Sequence, residues 1–467
     1  MTKVSNKKHS RYEMDMCNGN LFLKIIIFSL PIMAMGFLQL FFNAADLLIV
    51  TNFSTNKDAL GAVGSTSSLI NLTVNLFMGL SIGTNVVCAK LFGADDKGKI
   101  SNVVHTSILA SFIIGIFLMI FGFFFSGQLL ALMNNDSEYS VLYLKIYFLG
   151  MPFNLVYNFA ASILRAVGDT RRPLYYLSIA GVANVVLNLF FVIVCKMDVD
   201  GVAIATVISQ IISCFLIIRT LCKTTECYKL EFKKLKIHGR SLWEITKVGL
   251  PAGIQSSIFS ISNVLIQSSI NKFGFTVVNG NSAATSIEGF VYTAMNAIYS
   301  TALTFTSQNV GARKAKNIKK VTGYSLIIVS VIAITLGGIL FLLGPQLLTI
   351  YTKFPAEIEV GYIRLHYLCL PYFLCGIMDV MVGVLRGLGH STLPMIVSIL
   401  GVCGIRIAWI LYVFAPNTDF KNVEDLNLLY VSYPISWTIT FFVHLICYFI
   451  FSRITFKKFT KQEMCLR

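Results

Sequence analysis

Apolar residues run along this chain in stretches of twenty or more, broken by short polar segments rich in Lys, Asn, Asp and Gly. A helix rises 1.5 Å per residue, so about 20 apolar residues cross a ~30 Å hydrocarbon layer. The stretches between Leu21 and Ser452 divide into about twelve spans on that measure. We place them at 24–50, 59–90, 101–126, 140–164, 174–195, 201–221, 243–270, 278–308, 321–350, 361–385, 394–414 and 428–452, as spans 1 to 12. The longer ones are expected to tilt or bend. A membrane β-barrel would instead alternate apolar and polar residues over ~10-residue segments. Stretches such as Ile108 to Phe125 do not alternate, so the pattern predicts an all-α integral membrane protein.

The chain repeats itself. Leu164-Arg165-Ala166-Val167-Gly168 with Pro173 returns as Leu385-Arg386-Gly387-Leu388-Gly389 with Pro394, a shift of 221. Gly93-Ala94 returns as Gly311-Ala312 after 218 residues, and Leu30-Pro31 as Leu250-Pro251 after 220. Each half holds an even number of spans and both copies of the motif fall on the same basic side, so the repeats are parallel, related by an axis along the membrane normal. The expected organisation is an arm at 1–20, a six-helix lobe at 21–222, a linker at 223–242, a second six-helix lobe at 243–452 and a tail at 453–467. Two lobes that rock around a central cavity, with the substrate near the midplane, point to transport rather than catalysis.

Composition agrees with lipid as the solvent: 55% of residues are hydrophobic and 13% charged, with a mean hydropathy of +0.73. A net charge of +16 would suggest nucleic acid in a soluble protein, so the positions of the basic residues decide its meaning. With both termini inside, the arm, every second connection and the tail hold 30 of the 38 Lys and Arg. Lys57, Lys145, Lys196, Lys272, Lys353, Arg364 and Lys421 fall in or beside outer loops, leaving Arg406 alone inside a span. By the positive-inside rule the protein is expected to lie in the plasma membrane with cytoplasmic termini. Its basic charge then serves topology and anionic lipid headgroups, not nucleic acid. A polar arm before a long first apolar stretch reads as a retained signal anchor rather than a cleavable leader. The cysteines, among them Cys88, Cys195, Cys214, Cys369, Cys375, Cys403 and Cys447, show no zinc or redox spacing. His105, His366 and His444 are isolated. No cofactor is expected beyond a coupling ion, and a monomer is the expected state.

Of the acidic residues only Asp46, Glu288 and Asp379 fall well inside spans. A charge at mid-bilayer costs about 2.5 kcal/mol or more, which makes each a functional candidate. Span 1 runs outward, placing Asp46 in the outer half of the membrane. Asn188 lies eight residues before Lys196 and Thr206 six after Asp200, roughly 12 and 9 Å from the outer surface, with Asn184 one turn deeper on the same face. Asp46, Asn184, Asn188 and Thr206 are therefore expected to converge. Such oxygen ligands suit sodium, and the carboxyl suits a proton. Pro31, fifteen residues earlier, removes a backbone hydrogen bond and provides a place for span 1 to bend. In the second half Arg406 is expected to pair with Glu288 or Asp379, either as a structural ion pair or as part of a second cation or cationic-substrate site. Gln39, Asn43, Tyr157 and Asn158 are expected to face the amino-lobe cavity. Arg165 and Arg386 read as cytoplasmic turn anchors.

These residues, with Thr306-Ser307-Gln308-Asn309-Val310-Gly311-Ala312, resemble the multidrug and toxic compound extrusion (MATE) family over nearly the whole chain. Pro31 with Asn43-Ala44-Ala45-Asp46 is similar to the family's first helix, and Val202-Ala203-Ile204-Ala205-Thr206-Val207-Ile208-Ser209-Gln210 to its sixth. The resemblance implies two six-helix lobes and export of amphipathic, often cationic compounds in exchange for protons or sodium. Asp46, Asn184, Asn188 and Thr206 match the family's amino-lobe cation-site pattern, with Asn188 standing where several members carry a second Asp. Asp379 matches in part, since some members add an acid on the seventh helix and this chain has none there. The alternative is a flippase of lipid-linked saccharides, whose cavity should hold several Lys or Arg. An enzyme or an ATP-driven pump lacks support, because no His-Glu-x-x-His, Gly-x-Ser-x-Gly or phosphate-binding Gly-Lys loop occurs.

Overall fold

A computed structural model of the chain describes residues 12–53, 59–131 and 137–465. Arm residues 1–11, Lys57 and the last two residues of the tail fall outside them. Every regular element among the described residues is helical. The first half comprises α1 (Leu21–Phe53), α2 (Ala59–Gly93), α3 (Lys97–Ala131), α4 (Glu138–Leu149), α5 (Met151–Ala166), α6 (Arg171–Leu189) and α7 (Val199–Lys223). The second comprises α8 (Gly239–Asn271), α9 (Phe275–Gly311), α10 (Ala315–Leu348), α11 (Pro355–Cys369), α12 (Tyr372–Gly387), α13 (Thr392–Ser398), α14 (Ile405–Trp409) and α15 (Leu426–Cys465). These form twelve columns, matching spans 1 to 12.

Two columns are broken at corresponding places in the repeat. Helices α4 and α5 meet at 47° and α11 and α12 at 51°. Gly150 with Pro152, and Pro371 after Leu370, interrupt the backbone ladder there. Two other columns contain wide turns: Phe190–Val194 extends α6, while Ile399–Gly404 and Ile410–Phe414 flank α14. Such π turns break the 3.6 period and are frequent at functional positions. Helix α15 continues thirteen residues past the expected end of span 12, so most of the tail 453–467 is helical through Cys465.

Nine helices among the described residues are long and apolar enough to cross a membrane, and the bent pairs raise this to eleven. The twelfth column, α9, is more polar because protein rather than lipid surrounds it: Asn281, Glu288, Thr301, Thr304, Thr306 and Gln308 are all buried.

The lobes exchange their first helices at the end carrying the linker. Leu21, Ile25 and Phe28 of α1 lie in the hydrophobic cluster of the carboxy half, with Phe28 edge-on to Phe305 at 5.4 Å. Reciprocally, Ile245 of α8 lies in the cluster formed by α2, α3, α5 and α7. Between them α2 and α8 approach backbone to backbone. A Cβ on Gly79 would overlap Gly253, one on Gly83 the Ile245 carbonyl, and one on Gly253 the Leu76 carbonyl. At the tip of the seam Gly93 abuts the Gln308 carbonyl and Gly311 the Lys90 carbonyl. The repeated Gly-Ala pair found in the sequence is thus a meeting point of the two lobes.

Polar groups complete this closed end. Asn85 donates to the Ser162 carbonyl and accepts from Thr304 Oγ1 at 3.0 Å, and Gln308 donates to the Ala166 carbonyl at 2.7 Å. Arm residues 12–20 cross beneath both lobes. Tyr12 stacks on Arg172 and Met14 packs on Gly168 of the amino half, while the Met16 and Cys17 carbonyls accept from Asn309, Lys314 and Asn317 of the carboxy half.

Candidate functional site

The amino-lobe set is built by the contact of α1 with α6. Gly181 leaves room for the Phe42 ring, where any Cβ would overlap it. One turn on from that contact, Asp46 comes opposite Asn184 and Asn188, which share one face of α6 at i and i+4. Asn188 donates its amide to Asp46 Oδ1 at 2.5 Å and to Asn184 Oδ1 at 3.3 Å. Asn184 in turn donates to Thr206 Oγ1 of α7 at 3.4 Å, and Thr206 to the Val202 carbonyl at 3.0 Å. All four residues expected from sequence are therefore joined in one chain of side chains. Asn188 is fully buried and its Oδ1 has no partner.

The carboxy-lobe set departs from the sequence reading. Arg406 pairs with neither Glu288 nor Asp379. The partner of Glu288 is Arg364, in a two-pronged bridge with Nε to Oε1 and Nη2 to Oε2 both at 2.9 Å. Arg364 also donates Nη1 to Asn281 Oδ1, which accepts from Tyr430 as well. The sequence reading put Arg364 at an outer edge because span 10 was begun at 361. Helix α11 begins at Pro355, so Arg364 lies more than two turns inside and is buried. A helix-start signal was available in that proline.

Arg406 instead donates Nε to Ser436 Oγ at 3.0 Å and lies over the Tyr433 ring, 3.9 Å from its centroid, with Trp437 at 5.4 Å. Its Nη2 has no partner. Asp379, Glu288, Arg364 and Arg406 all line one cavity of about 340 Å³ within the lobe.

The remaining expectations divide. Gln39 and Asn43 are exposed on α1. Tyr157 does not present its hydroxyl to a cavity; it is buried and donates to the Pro173 carbonyl at 3.0 Å. Asn158 turns back onto Asn154. Pro31 sits inside an unbroken α1. Arg386 is no surface anchor: it is buried, bonds Tyr299 and Gln255 Oε1, and ties α12 to α9 and α8. Arg165 bonds Ser162 of its own helix. No group of three or more His, Cys, Asp or Glu that could hold a metal occurs among the described residues.

The profile of the MatE family matches the chain twice, over residues 31–190 and 251–410. The chain belongs to the MatE family. The two matched stretches are offset by 220 residues, the same displacement as the internal repeat. A probable multidrug resistance protein of Bacillus subtilis, YpnP, is 26% identical over 399 residues, covering 84% of this chain and 88% of that protein. Another, YoeA from the same organism, is 24% identical over 428 residues, covering 89% and 90%. A solved outward-facing multidrug resistance MATE transporter of the MOP superfamily superposes with a TM-score of 0.88 at 21% identity, covering 97% of this chain and all of that one. The MatE chain is thus a multi-pass membrane protein of a multidrug efflux transporter family, with the two-lobe fold expected, and not an enzyme.

Proposed function

We propose that this MatE protein is an ion-coupled antiporter of the plasma membrane, exporting amphipathic, often cationic compounds by alternating access. The reading takes both termini and the linker as cytoplasmic, and a monomer as the working unit. The observation that carries it is the 2.5 Å contact of Asp46 with Asn188, continued through Asn184 to Thr206. A lone carboxyl backed by two amides and a hydroxyl is built to gain and lose one positive charge. With the carboxylate ionised, Asn188 donates to it, as observed. With a proton bound, the acid donates instead, and the unused Asn188 Oδ1 becomes its acceptor when the amide turns over. The Asn184 amide and the Thr206 hydroxyl can reorient in sequence, so the Asp46 carboxyl keeps a partner in either charge state. Sodium would take the same oxygens, those of Asp46, Asn188 and Thr206, completed by water. Pro31, which leaves α1 one hydrogen bond short, supplies a bending point that such a change can use.

The flippase alternative is disfavoured by the carboxy-lobe charges. Arg364 and Arg386 lie inside the lobe as well as Arg406, yet Arg364 is neutralised by Glu288 and Arg386 is held by Gln255 and Tyr299. Of the arginines lining the cavity, Arg406 alone keeps an edge of its guanidinium free, which does not match a polyanionic headgroup.

The test is efflux of ethidium from vesicles holding the purified protein, driven by a proton gradient or a sodium gradient in turn. One gradient should drive efflux, and Asp46→Asn should abolish the coupling. Unaltered gradient-driven efflux by Asp46→Asn would sink the proposal.

A further inference from the structure

We propose that the linker-side ends of α6 and α7 hold one anionic phospholipid, with its phosphate on Arg219 and Lys223 and a hydroxyl-bearing headgroup beside Thr225 and Glu226. The site goes beyond the transport reading and does not draw on the chemistry at Asp46.

A cavity of about 530 Å³ lies between the start of α6, the end of α7 and the arm, walled in large part by Tyr12, Arg172, Tyr176, Arg219, Lys223 and Glu226. Its charges do not cancel. Arg172 is already answered: it is bridged to Asp169, reaches the Tyr228 hydroxyl at 3.4 Å and lies against the Tyr12 ring. Glu13 of the arm accepts from that same Tyr228. The side chains of Arg219 and Lys223 are exposed and form no ion pair or hydrogen bond among the described residues. Glu226 has no ion pair among them either, so two free cations face one carboxylate. The residues before Tyr12 add Lys3, Lys7, Lys8 and Arg11 and no acid. The arm therefore brings no counter-ion of its own.

The surface leading to the cavity identifies lipid as the source of the anion. Along α7, Ile211, Phe215, Arg219 and Lys223 follow one another at i, i+4 spacing and all are exposed. That stripe turns from apolar to basic within one turn, about 6 Å of rise. On α6, packed alongside, Tyr175, Ile179, Val182 and Val186 are exposed in the same way. Acyl chains thus have an apolar track along both helices, ending beside Tyr176 and Leu216 in the cavity wall. Tyr175 and Phe215 stand at the boundary, and aromatic rings favour that depth. Basic pockets between spans at a cytoplasmic surface are a recurring place for lipid headgroups.

The excess charge and the neutral polar groups narrow the headgroup. One phosphodiester cancels one positive charge, whereas a second phosphate would meet the Glu226 carboxylate. An ethanolamine headgroup would carry its own ammonium and leave the excess in place. Thr220 is engaged by the Leu216 carbonyl and Tyr176, but the exposed Thr225 and the Glu226 carboxylate can bond hydroxyls. A lipid of the phosphatidylglycerol kind, singly charged and hydroxylated, meets each condition.

Phosphatidylglycerol and phosphatidylcholine, each with a diazirine on one acyl chain, are compared at equal mole fraction in phosphatidylcholine nanodiscs holding the full chain. After photolysis, mass spectrometry of the digested protein should find the segments at Tyr175–Ile179 and Ile211–Phe215 labelled about tenfold more by the anionic lipid, with other lipid-facing segments labelled alike. Arg219→Gln with Lys223→Gln should bring these segments down to the phosphatidylcholine level. Arg453→Gln with Lys457→Gln is the matched control. It removes an equally spaced, exposed basic pair from the linker-side end of α15 and should leave the labelling unchanged. Equal labelling by the two lipids in the unaltered protein would overturn the proposal and needs no variant to fold. An equal loss in the control pair would overturn it as well, by reducing the effect to general surface attraction. Competition by excess phosphatidylethanolamine as strong as by phosphatidylglycerol would refute the headgroup, and competition by soluble glycerophosphoglycerol would refute the lipid source. No gradient or exported compound enters the measurement, so its result stands apart from that of the efflux test.

Discussion

At the scale of the residue, the chain treats its intramembrane charges in three ways. Asp46 is held by the Asn188 amide, which continues through Asn184 to Thr206, Glu288 is fixed against Arg364, and Arg406 is stacked on aromatic rings with one edge free. Only the second arrangement is static, and it should behave as structure. Glu288→Gln leaves Arg364 buried without its counterion, which costs about 3–5 kcal/mol for pairs of this kind. The thermal midpoint of the purified protein should fall accordingly, and replacing Arg364 with Met in the same chain should recover much of the loss. If the single and double variants unfolded at the same temperature, the bridge would not be what holds α9 to α11. Asn188→Ala tests the first arrangement. It removes the donor to Asp46 and should weaken ion-coupled efflux without lowering the amount of folded protein, as measured by flux at saturating gradient. The Asp46 set was legible in the sequence because helical rise fixes depth, and depth alone aligned Asn184, Asn188 and Thr206. The pairing of Glu288 was not legible. It depended on where α11 begins, and a six-residue error in that start turned a buried arginine into a surface one.

Helices, rather than single side chains, explain why the repeated Gly-Ala and Leu-Arg motifs recur. Gly79, Gly83, Gly249 and Gly253 let α2 and α8 touch backbone to backbone, and Gly93 and Gly311 close the tip. Small residues at helix crossings are how membrane helices gain contact without a hydrophobic driving force. The sequence showed Gly93 and Gly311 as an offset between halves but not as part of a seam, because a repeat says which positions correspond and not which ones face each other. A Cβ at Gly253 has only the Leu76 carbonyl to displace, so Gly253→Val should splay the lobes at this end. Spin labels at Lys90 and Arg313, both exposed beside the seam, should then report a longer distance. An unchanged distance would mean that the seam tolerates bulk. Gly323→Ala on α10 is the contrast. Nothing lies within 4 Å of the added carbon, and removing a helix-interior glycine should stabilise by about 0.5–1 kcal/mol. The bends between α4 and α5 and between α11 and α12 were half legible: Pro152 and Pro371 stood in the sequence, but apolar runs alone measured the spans as continuous.

For the whole molecule, the arm at 12–20 is the piece that neither lobe owns. It bonds Asn309, Lys314 and Asn317 of the carboxy half and packs on Gly168 and Arg172 of the amino half. The lobes cannot part at this end without breaking one set of these contacts, so the arm biases the protein toward the closed end seen here. Cys17, in the middle of the strap and outside the spans, reports on that bias. Burial pushes its thiol up to about 11, with Asp15 adding to the shift and Lys314 and Lys24 opposing it. Only the thiolate is alkylated, so the docked arm keeps Cys17 slow to react near pH 8 and faster only as pH climbs toward 11. Releasing the arm returns the thiol to its ordinary value near 9, and two units correspond to about a hundredfold more thiolate at pH 8. Asn309→Ala with Asn317→Ala removes two of the anchors. Iodoacetamide labelling of the Cys17 peptide, followed by mass spectrometry, should accelerate toward that limit, and the Lys90–Arg313 distance should broaden with it. Faster labelling with an unchanged distance would show an arm that covers its own cysteine but does not tie the lobes together. Slow labelling and a narrow distance in the double variant would show that Lys314 alone suffices to hold it. Labelling and distance changing together are the expected result, because the same few hydrogen bonds bury the thiol and bridge the halves.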